Sequence, residues 1–322
     1  MNRENAKMQT EKRLAVIILN YKTPQLVIDC LASLDGQVDP ELDCVVVVDS
    51  CSRDGSAEII QTHLSQQNWP WAQLIEAPSN DGFSAGNNYG MQSVEAEAYL
   101  LLNSDTIVRP NTIAALLDAF ATHPQAGVIS PRLEWPDTTP QISCFRDISP
   151  VSQIIDAAQT GPITKLLRRF DVPIDVSDEP FQPDWTSFAA VLLRGTAIKQ
   201  VGWMDDGYFM YFEDDDCCRQ IRQAGWQILH WPQARIVHLR GGSSNVKAAK
   251  LARKRRPTYW YAARSRYLAK FYGGRVGLLA GNVGWIFGRT IALSRELVGN
   301  KEPHHCEYEG RDIWTNWRNP LM

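Results

Sequence analysis

Leu14-Ala15-Val16-Ile17-Ile18-Leu19, running into Asn20-Tyr21-Lys22-Thr23-Pro24, decides the fold. An apolar run with no polar alternation reads as a short strand covered on both faces. It stops at a polar loop carrying a proline, and apolar residues then recur at helical spacing (Leu26, Val27, Cys30, Leu31, Leu34). The same unit repeats. Cys44-Val45-Val46-Val47-Val48 ends at Asp49 and a polar turn, with a helix from about Ala57. Leu74-Ile75 forms a third short strand, followed by the loop Asn80-Asp81-Gly82-Phe83 and a helix through Asn87 and Met91. Tyr99-Leu100-Leu101-Leu102 is a fourth, broken by Asn103-Ser104-Asp105. Strand, loop and helix in alternation predict an α/β fold with a mainly parallel central sheet and helices on both faces.

In such sheets ligands collect at the carboxyl ends of the strands. Those ends carry Asn20 and Tyr21, Asp49, Asn80 and Asp105, and four polar ends in succession predict a shared pocket. Taken singly each residue has a plainer use. Asp49 suits an Asx turn, and Asp105 suits a divalent-cation ligand or a cap for the segment at Pro110-Asn111. Gly82, Gly86 and Gly90 permit close approach of backbone to a ligand or a neighbouring helix.

Farther along, Tyr208-Phe209-Met210-Tyr211-Phe212 leads directly into Glu213-Asp214-Asp215-Asp216. Adjacent carboxylates repel, which raises the pKa of some members. Such a run caps a helix, binds a cation or positions a base. The helix that follows is well marked by Cys217, Cys218, Ile221 and Ala224 on one face and Gly225 as the stop. A strand at about Arg235 to Val237 then delivers His238 to a turn at Gly241-Gly242. Alone, that histidine is more often structural than a ligand; its case strengthens if Asp105 and the acidic run share its pocket. Leu133 to Pro183 is the least regular stretch and reads as loops and short helices, with order returning at Asp184-Trp185 and Phe188 to Leu193.

The 322 residues suffice for a large core, and 44% hydrophobic with 21% charged residues is ordinary for a globular chain. A net charge of -3 gives no reason to expect nucleic acid as a partner. Seven scattered cysteines without a CxxC pair point away from a disulfide framework and a structural zinc site. The polar start, Met1 to Arg13, has no apolar signal core, so a cytoplasmic location is expected. Beyond Ser244 the chain changes character. Lys247 to Arg275 holds ten Lys or Arg and no acid, interleaved with aromatic rings, before an apolar segment from Val276 to Ile291. That segment falls short of the ~20 residues of a spanning helix. An in-plane contact with the inner leaflet and a helical hairpin packed on the protein are both open readings. The expected units are a catalytic domain over 12–244 and a basic, aromatic helical extension over 245–322.

Five ordered blocks together resemble glycosyltransferase family 2, in its rhamnosyltransferase-like branch of bacterial surface-polysaccharide synthesis. They are Ile18-Leu19-Asn20-Tyr21-Lys22; Asp49-Ser50-Cys51-Ser52-Arg53-Asp54-Gly55-Ser56; Asn80 to Gly90; Asn103-Ser104-Asp105-Thr106; and Val201 to Gly242. The resemblance implies a GT-A, Rossmann-like fold and inverting transfer from a nucleotide-diphosphate sugar, with rhamnose one candidate. The implied acceptor is a saccharide or a polyprenyl-diphosphate-linked saccharide. It implies donor-nucleotide contacts from Asn20, Tyr21, Asp49, Asn80, Gly82, Asn87 and Asn103. Asp105 and His238 would hold Mg2+ or Mn2+, Asp214 would be the catalytic base, and Trp185, Glu213, Asp215 and Asp216 would line the acceptor side. The chain departs from the family in having Ser50 after Asp49, Phe188 at a usual glycine and Gln220 at a usual arginine. Two other readings compete. A sugar nucleotidyltransferase would want a basic, Gly-rich loop after the first strand, which residues 20–24 lack, and a non-catalytic carbohydrate- or membrane-binding scaffold would have lost Asp105, Asp214 or His238.

Overall fold

The computed structural model describes residues 11–67, 69–240, 252–299 and 305–321. In chain order its first elements are β1 (Lys12–Asn20), α1 (Pro24–Leu34), β2 (Asp43–Asp49), α2 (Ser56–Gln67), β3 (Ala72–Glu76), α3 (Phe83–Gln92) and β4 (Ala96–Asn103). β5 (Thr106–Val108), α4 (Thr112–Thr122), β6 (Ala126–Glu134), β7 (Cys144–Phe145), α5 (Ser152–Ala158) and α6 (Gly161–Leu166) come next. Then follow β8 (Trp185–Thr186), β9 (Ala190–Arg194), α7 (Gly195–Gln200), α8 (Glu213–Gln223) and β10 (Gln227–His238). α9 (Thr258–Tyr272), α10 (Arg275–Gly299) and α11 (Glu309–Asp312) complete the described chain.

Eight strands form one sheet in the order β3-β2-β1-β4-β9-β6-β10-β5, and β7 and β8 form a small second one. β1 to β4 run parallel, as does β10 beside β6, while β9 is antiparallel to both β4 and β6. The unbroken apolar character of the first strands follows from coverage on both faces. Leu14, Val16 and Ile18 belong to one buried cluster with Leu31 of α1, Ile60 of α2 and Leu116 of α4, while Ala15 and Ile17 belong to another with Met91 of α3 and Ile221 of α8.

Register places the site. Asn20 sits opposite Asp49, and Leu19 opposite Asn103, so three strand ends open on the same edge. β9 begins at Ala190 beside Leu102, which brings residues 185–189 to that edge. His238, at the end of β10, lies opposite Thr106.

The C-terminal helices pack on the protein. α9 buries Tyr261, Ala263, Arg264 and Tyr267, with Tyr267 against Tyr208 and Phe212. α10 lies close along α5: a Cβ on Gly284 would fall 2.3 Å from the Pro150 carbonyl oxygen, and one on Gly288 2.3 Å from that of Ile154. The helix runs 25 residues rather than stopping at Ile291. Arg289, which interrupts the apolar segment in the sequence, pairs with Glu296 at 2.7 Å, so the helix carries these charges without a break. By length and composition it is long and apolar enough to cross a membrane, yet 44% of its most apolar window is buried inside the protein. Gly241-Gly242 and the start of the basic stretch, up to residue 251, lie outside the described residues.

Candidate active site

At the end of β1, Asn20 is fully buried, and its Nδ2 donates to Asp49 Oδ1 at 2.6 Å. Asp49 also accepts from Ser52, through the backbone N–H at 2.9 Å and the hydroxyl at 2.6 Å. The Asx turn is therefore present, and the carboxylate is held in place by two segments. The other end of the Asn20 amide accepts the Thr23 N–H at 3.1 Å. Thr23 and Ser104 hydroxyls lie 3.1 Å apart, linking this loop to the end of β4. Tyr21 stands beside them, 44% exposed.

The loop before α3 is fixed from across the site. Gly82 has φ 100°, and a Cβ there would come within 2.2 Å of the Phe209 carbonyl oxygen, which accepts the Phe83 N–H at 2.8 Å. Asn80 Oδ1 accepts the Gly82 N–H at 3.3 Å. Asn87 is buried and donates to the Phe83 carbonyl at 2.9 Å, within its own helix. The neighbouring Asn88 was not anticipated. It donates to the Met204 carbonyl at 2.8 Å and accepts the Met204 N–H at 3.1 Å, tying α3 to the segment that precedes the acidic run. The paired asparagines at 87 and 88 were the available signal. Gly86 and Gly90 sit against Leu19, Ser50, Ile17 and Val48, which accounts for both by packing.

Asp105 leads into β5 and does not cap α4, which instead begins after Asn111 in a left-handed conformation (φ 65°). The Asp105 side chain is 5% exposed and its Oδ1 lies 3.4 Å from His238 Nε2. Among the described residues His238 Nδ1 is buried with no hydrogen-bond partner. The His238 ring does not use up its own capacity: with the ring proton on Nε2 the Nδ1 lone pair goes unused, and with it on Nδ1 a lone pair faces a carboxylate. A cation satisfies that second arrangement. Two ligands ~2.1 Å from a shared ion would be roughly 3 Å apart, close to the spacing here. Among the described residues no group of three or more His, Cys, Asp or Glu converges on one point. A two-residue set still fits Mg2+ or Mn2+, because such ions commonly keep waters and substrate phosphate oxygens as further ligands.

The acidic run opens α8. Tyr211 and Phe212, at φ 76° and 70°, turn the chain sharply into the helix. All four acids stand at its positive end, yet their environments differ. Glu213, Asp215 and Asp216 are buried, while Asp214 alone is partly exposed. Asp216 accepts the Tyr208 hydroxyl at 2.8 Å and pairs with Lys270 of α9 at 2.8 Å. Asp215 accepts the Ile148 N–H at 3.2 Å. Asp214 Oδ1 accepts the Asp215 N–H at 3.0 Å. Burial pushes the Asp214 carboxyl up to about 6, against the pull of backbone N–H groups from Asp215 and Phe188. Burial first, then the Asp214 charge, raises Glu213 well above the usual range, and Asp215 is raised likewise by burial and Asp147.

Trp185 stacks on Phe145 with centroids 4.1 Å apart and donates its indole N–H to the Arg146 carbonyl, leaving 8% of the residue exposed. Phe188 is buried in the same cluster. These strand ends and the acidic helix thus carry a carboxylate held at the ends of β1 and β2, an Asp–His pair fit for a cation, and one accessible carboxylate of raised pKa.

Residues 15–162 match the model of glycosyl transferase family 2. The chain is 26% identical over 267 residues to the N-acetylglucosaminyl-diphospho-decaprenol L-rhamnosyltransferase of Mycobacterium tuberculosis, covering 78% of this chain and 84% of that one. It is 24% identical over 224 residues to a low-salt glycan biosynthesis hexosyltransferase of Haloferax volcanii, covering 67% and 63%. Among solved structures it is similar to a mannosyltransferase from Pyrobaculum calidifontis in complex with GDP-Man and Mn2+. That likeness has a TM-score of 0.57 at 15% identity and covers 97% of this chain and 85% of that one. The likeness supports the GT-A fold.

Proposed function

We propose that this chain, whose residues 15–162 match the family 2 glycosyltransferase model, inverts the anomeric centre of a nucleotide-diphosphate sugar as it transfers that sugar to a lipid-linked saccharide. The observation that carries the reading is the division within the acidic run. Three carboxylates are committed to the interior, and Asp214 alone is accessible with a pKa lifted to about 6. A base with that value is ionised at neutral pH yet retains useful proton affinity.

The donor nucleotide lies against Asn20, Tyr21 and Asp49 in this account, with Asn80, Gly82, Asn87 and Asn103 shaping the rest of its seat. Asp105 and His238 would hold Mg2+ or Mn2+, which when bound would supply positive charge to stabilise the departing nucleotide. Asp214 accepts the proton of the acceptor hydroxyl as its oxygen attacks the anomeric carbon from the face opposite the diphosphate. The contribution expected of such a base is about 10²–10⁴-fold. Glu213, Asp215 and Asp216 hold its position rather than touch the acceptor, and Trp185 backs the wall.

The relative in Mycobacterium tuberculosis is named for a lipid-diphosphate acceptor, and this supports a similar class here. So does the outer face of α10, where Val276, Phe287, Leu297 and Val298 are each more than half exposed. A helix bound on one side and apolar on the other suits an in-plane contact with the inner leaflet.

The test is a thermal-shift panel of UDP-, GDP- and dTDP-sugars with and without Mn2+, followed by transfer to N-acetylglucosaminyl-diphospho-decaprenol. A sugar nucleotide that stabilises the protein only with the metal, and is then transferred, supports the reading. Lack of response to every donor would favour a non-catalytic scaffold.

A further inference from the structure

Asp216 raises a question that the proposed chemistry leaves open. Its carboxylate is fully buried in the first turn of α8, and a buried anion needs a cation beside it. The helix itself supplies none. Arg219 donates to the hydroxyls of Tyr267 at 3.2 Å and Tyr272 at 3.1 Å, and its guanidinium lies 4.4 Å from the Phe271 ring centroid. Arg222 is paired with Asp147. Gln220, one turn on, reaches Asp216 Oδ1 with an uncharged amide. The cation comes instead from α9: Lys270 Nζ lies 2.9 Å from Oδ1 and 2.8 Å from Oδ2 of Asp216. The same ammonium donates to Asp205 at 2.7 Å, and Arg266 holds the other Asp205 oxygen at 2.7 Å. Tyr208 closes the network through its bond to Asp216.

We propose that Lys270 is a positioning residue for Asp214, a role that rests on Asp214 being the base. Lys270 ties the first turn of α8 to the 205–212 loop from outside both. Because Asp214 Oδ1 accepts the Asp215 N–H, the base takes its orientation from that turn. The loop in turn fixes Gly82 at the donor side through Phe209. One ammonium thus links the base and the donor loop to a helix that follows the sheet in sequence.

Removing the charge leaves Asp216 to protonate or to pull its turn toward water, and displacement of about 1 Å at a reacting group can cost about 10²-fold. Lys270→Met in the full chain is therefore expected to lower kcat by about 10- to 10²-fold. Donor affinity with Mn2+ and the acceptor KM should change little. The decisive variant returns the cation to the helix: Gln220→Arg added to Lys270→Met is expected to restore most of the lost kcat. Assays use the donor selected by the panel and N-acetylglucosaminyl-diphospho-decaprenol, read as nucleoside diphosphate release. Parent-like kcat in Lys270→Met overturns the proposal, as does a folded double variant no faster than the single one. If Lys270→Met does not fold, Lys270→Gln with and without Gln220→Arg is read in the same way, and misfolding that Gln220→Arg leaves unrepaired assigns Lys270 a structural role only. Asp214→Asn separates the two claims. Near-normal turnover in that variant removes the base assignment itself, whereas an inactive Asp214→Asn beside an unaffected Lys270→Met removes only the positioning role.

Discussion

The raised pKa of Asp214 costs the fold stability and suits the base proposed for it. Its folded-state value of about 6 lies above the ordinary value of 3.8. Between those values the folded chain binds a proton that the unfolded chain does not, so stability falls as the pH rises through the window. Above pH 6 the ionised group costs roughly 2–3 kcal/mol at most, from a shift of about two pKa units at 1.36 kcal/mol each. Asp214→Asn should therefore raise the unfolding midpoint at pH 7.5, with the gain fading by pH 4. Equal midpoints for variant and parent at both pH values would argue against a desolvated carboxylate there. The resemblance proposes Asp214 as the base, but the residues alone do not say which of the four acids stays partly exposed, because that depends on partners distant in sequence, such as Ile148 and Lys270.

The elements show where pattern reading works and where it loses the signal. β1, β2 and β4 stand where their apolar runs place them, since strands covered on both faces need no alternation, and β3 forms the sheet edge where Leu74-Ile75 places it. Nothing in the pattern marks Ala126–Glu134 as a strand, because Gly127, Pro131 and Arg132 break it up. β10 is 12 residues long, although only 235–237 reads as strand. Its register with β6 shifts between Trp231 and Arg235, where Pro232 removes a ladder donor. The junction of α3 with the 205–212 loop is sensitive to a single added atom. Gly82→Ala forces a side chain into φ 100° and onto the Phe209 carbonyl. The backbone strain alone should cost about 1–3 kcal/mol, read as a lower urea midpoint with weakened donor binding. An unchanged midpoint would show that the loop relaxes freely.

At the scale of the molecule, the ends of the parallel strands carry Asn20, Asp49 and Asn103, antiparallel β9 follows closely on Phe188, β10 ends at His238, and α9 ties down the acidic helix through Lys270. The apolar segment after Arg275 gave two open readings, membrane contact or packing on the protein. The structure packs one face of α10 on α5 and leaves Val276, Phe287 and Leu297 facing outward. The outward face carries the membrane proposal, and co-sedimentation of the full chain with anionic vesicles checks it. Binding should weaken on Phe287→Glu and with added salt, which screens charges beyond about 8–10 Å. Absence of binding at low salt would end that part of the account.

The central claim is that Asp214 takes the acceptor proton, and the most direct measurement is turnover of Asp214→Asn beside its donor affinity in Mn2+. The account predicts a loss of about 10²–10⁴-fold in kcat, with donor binding within about twofold of the parent. Near-normal turnover would contradict it and move the base to Glu213, Asp215 or Asp216.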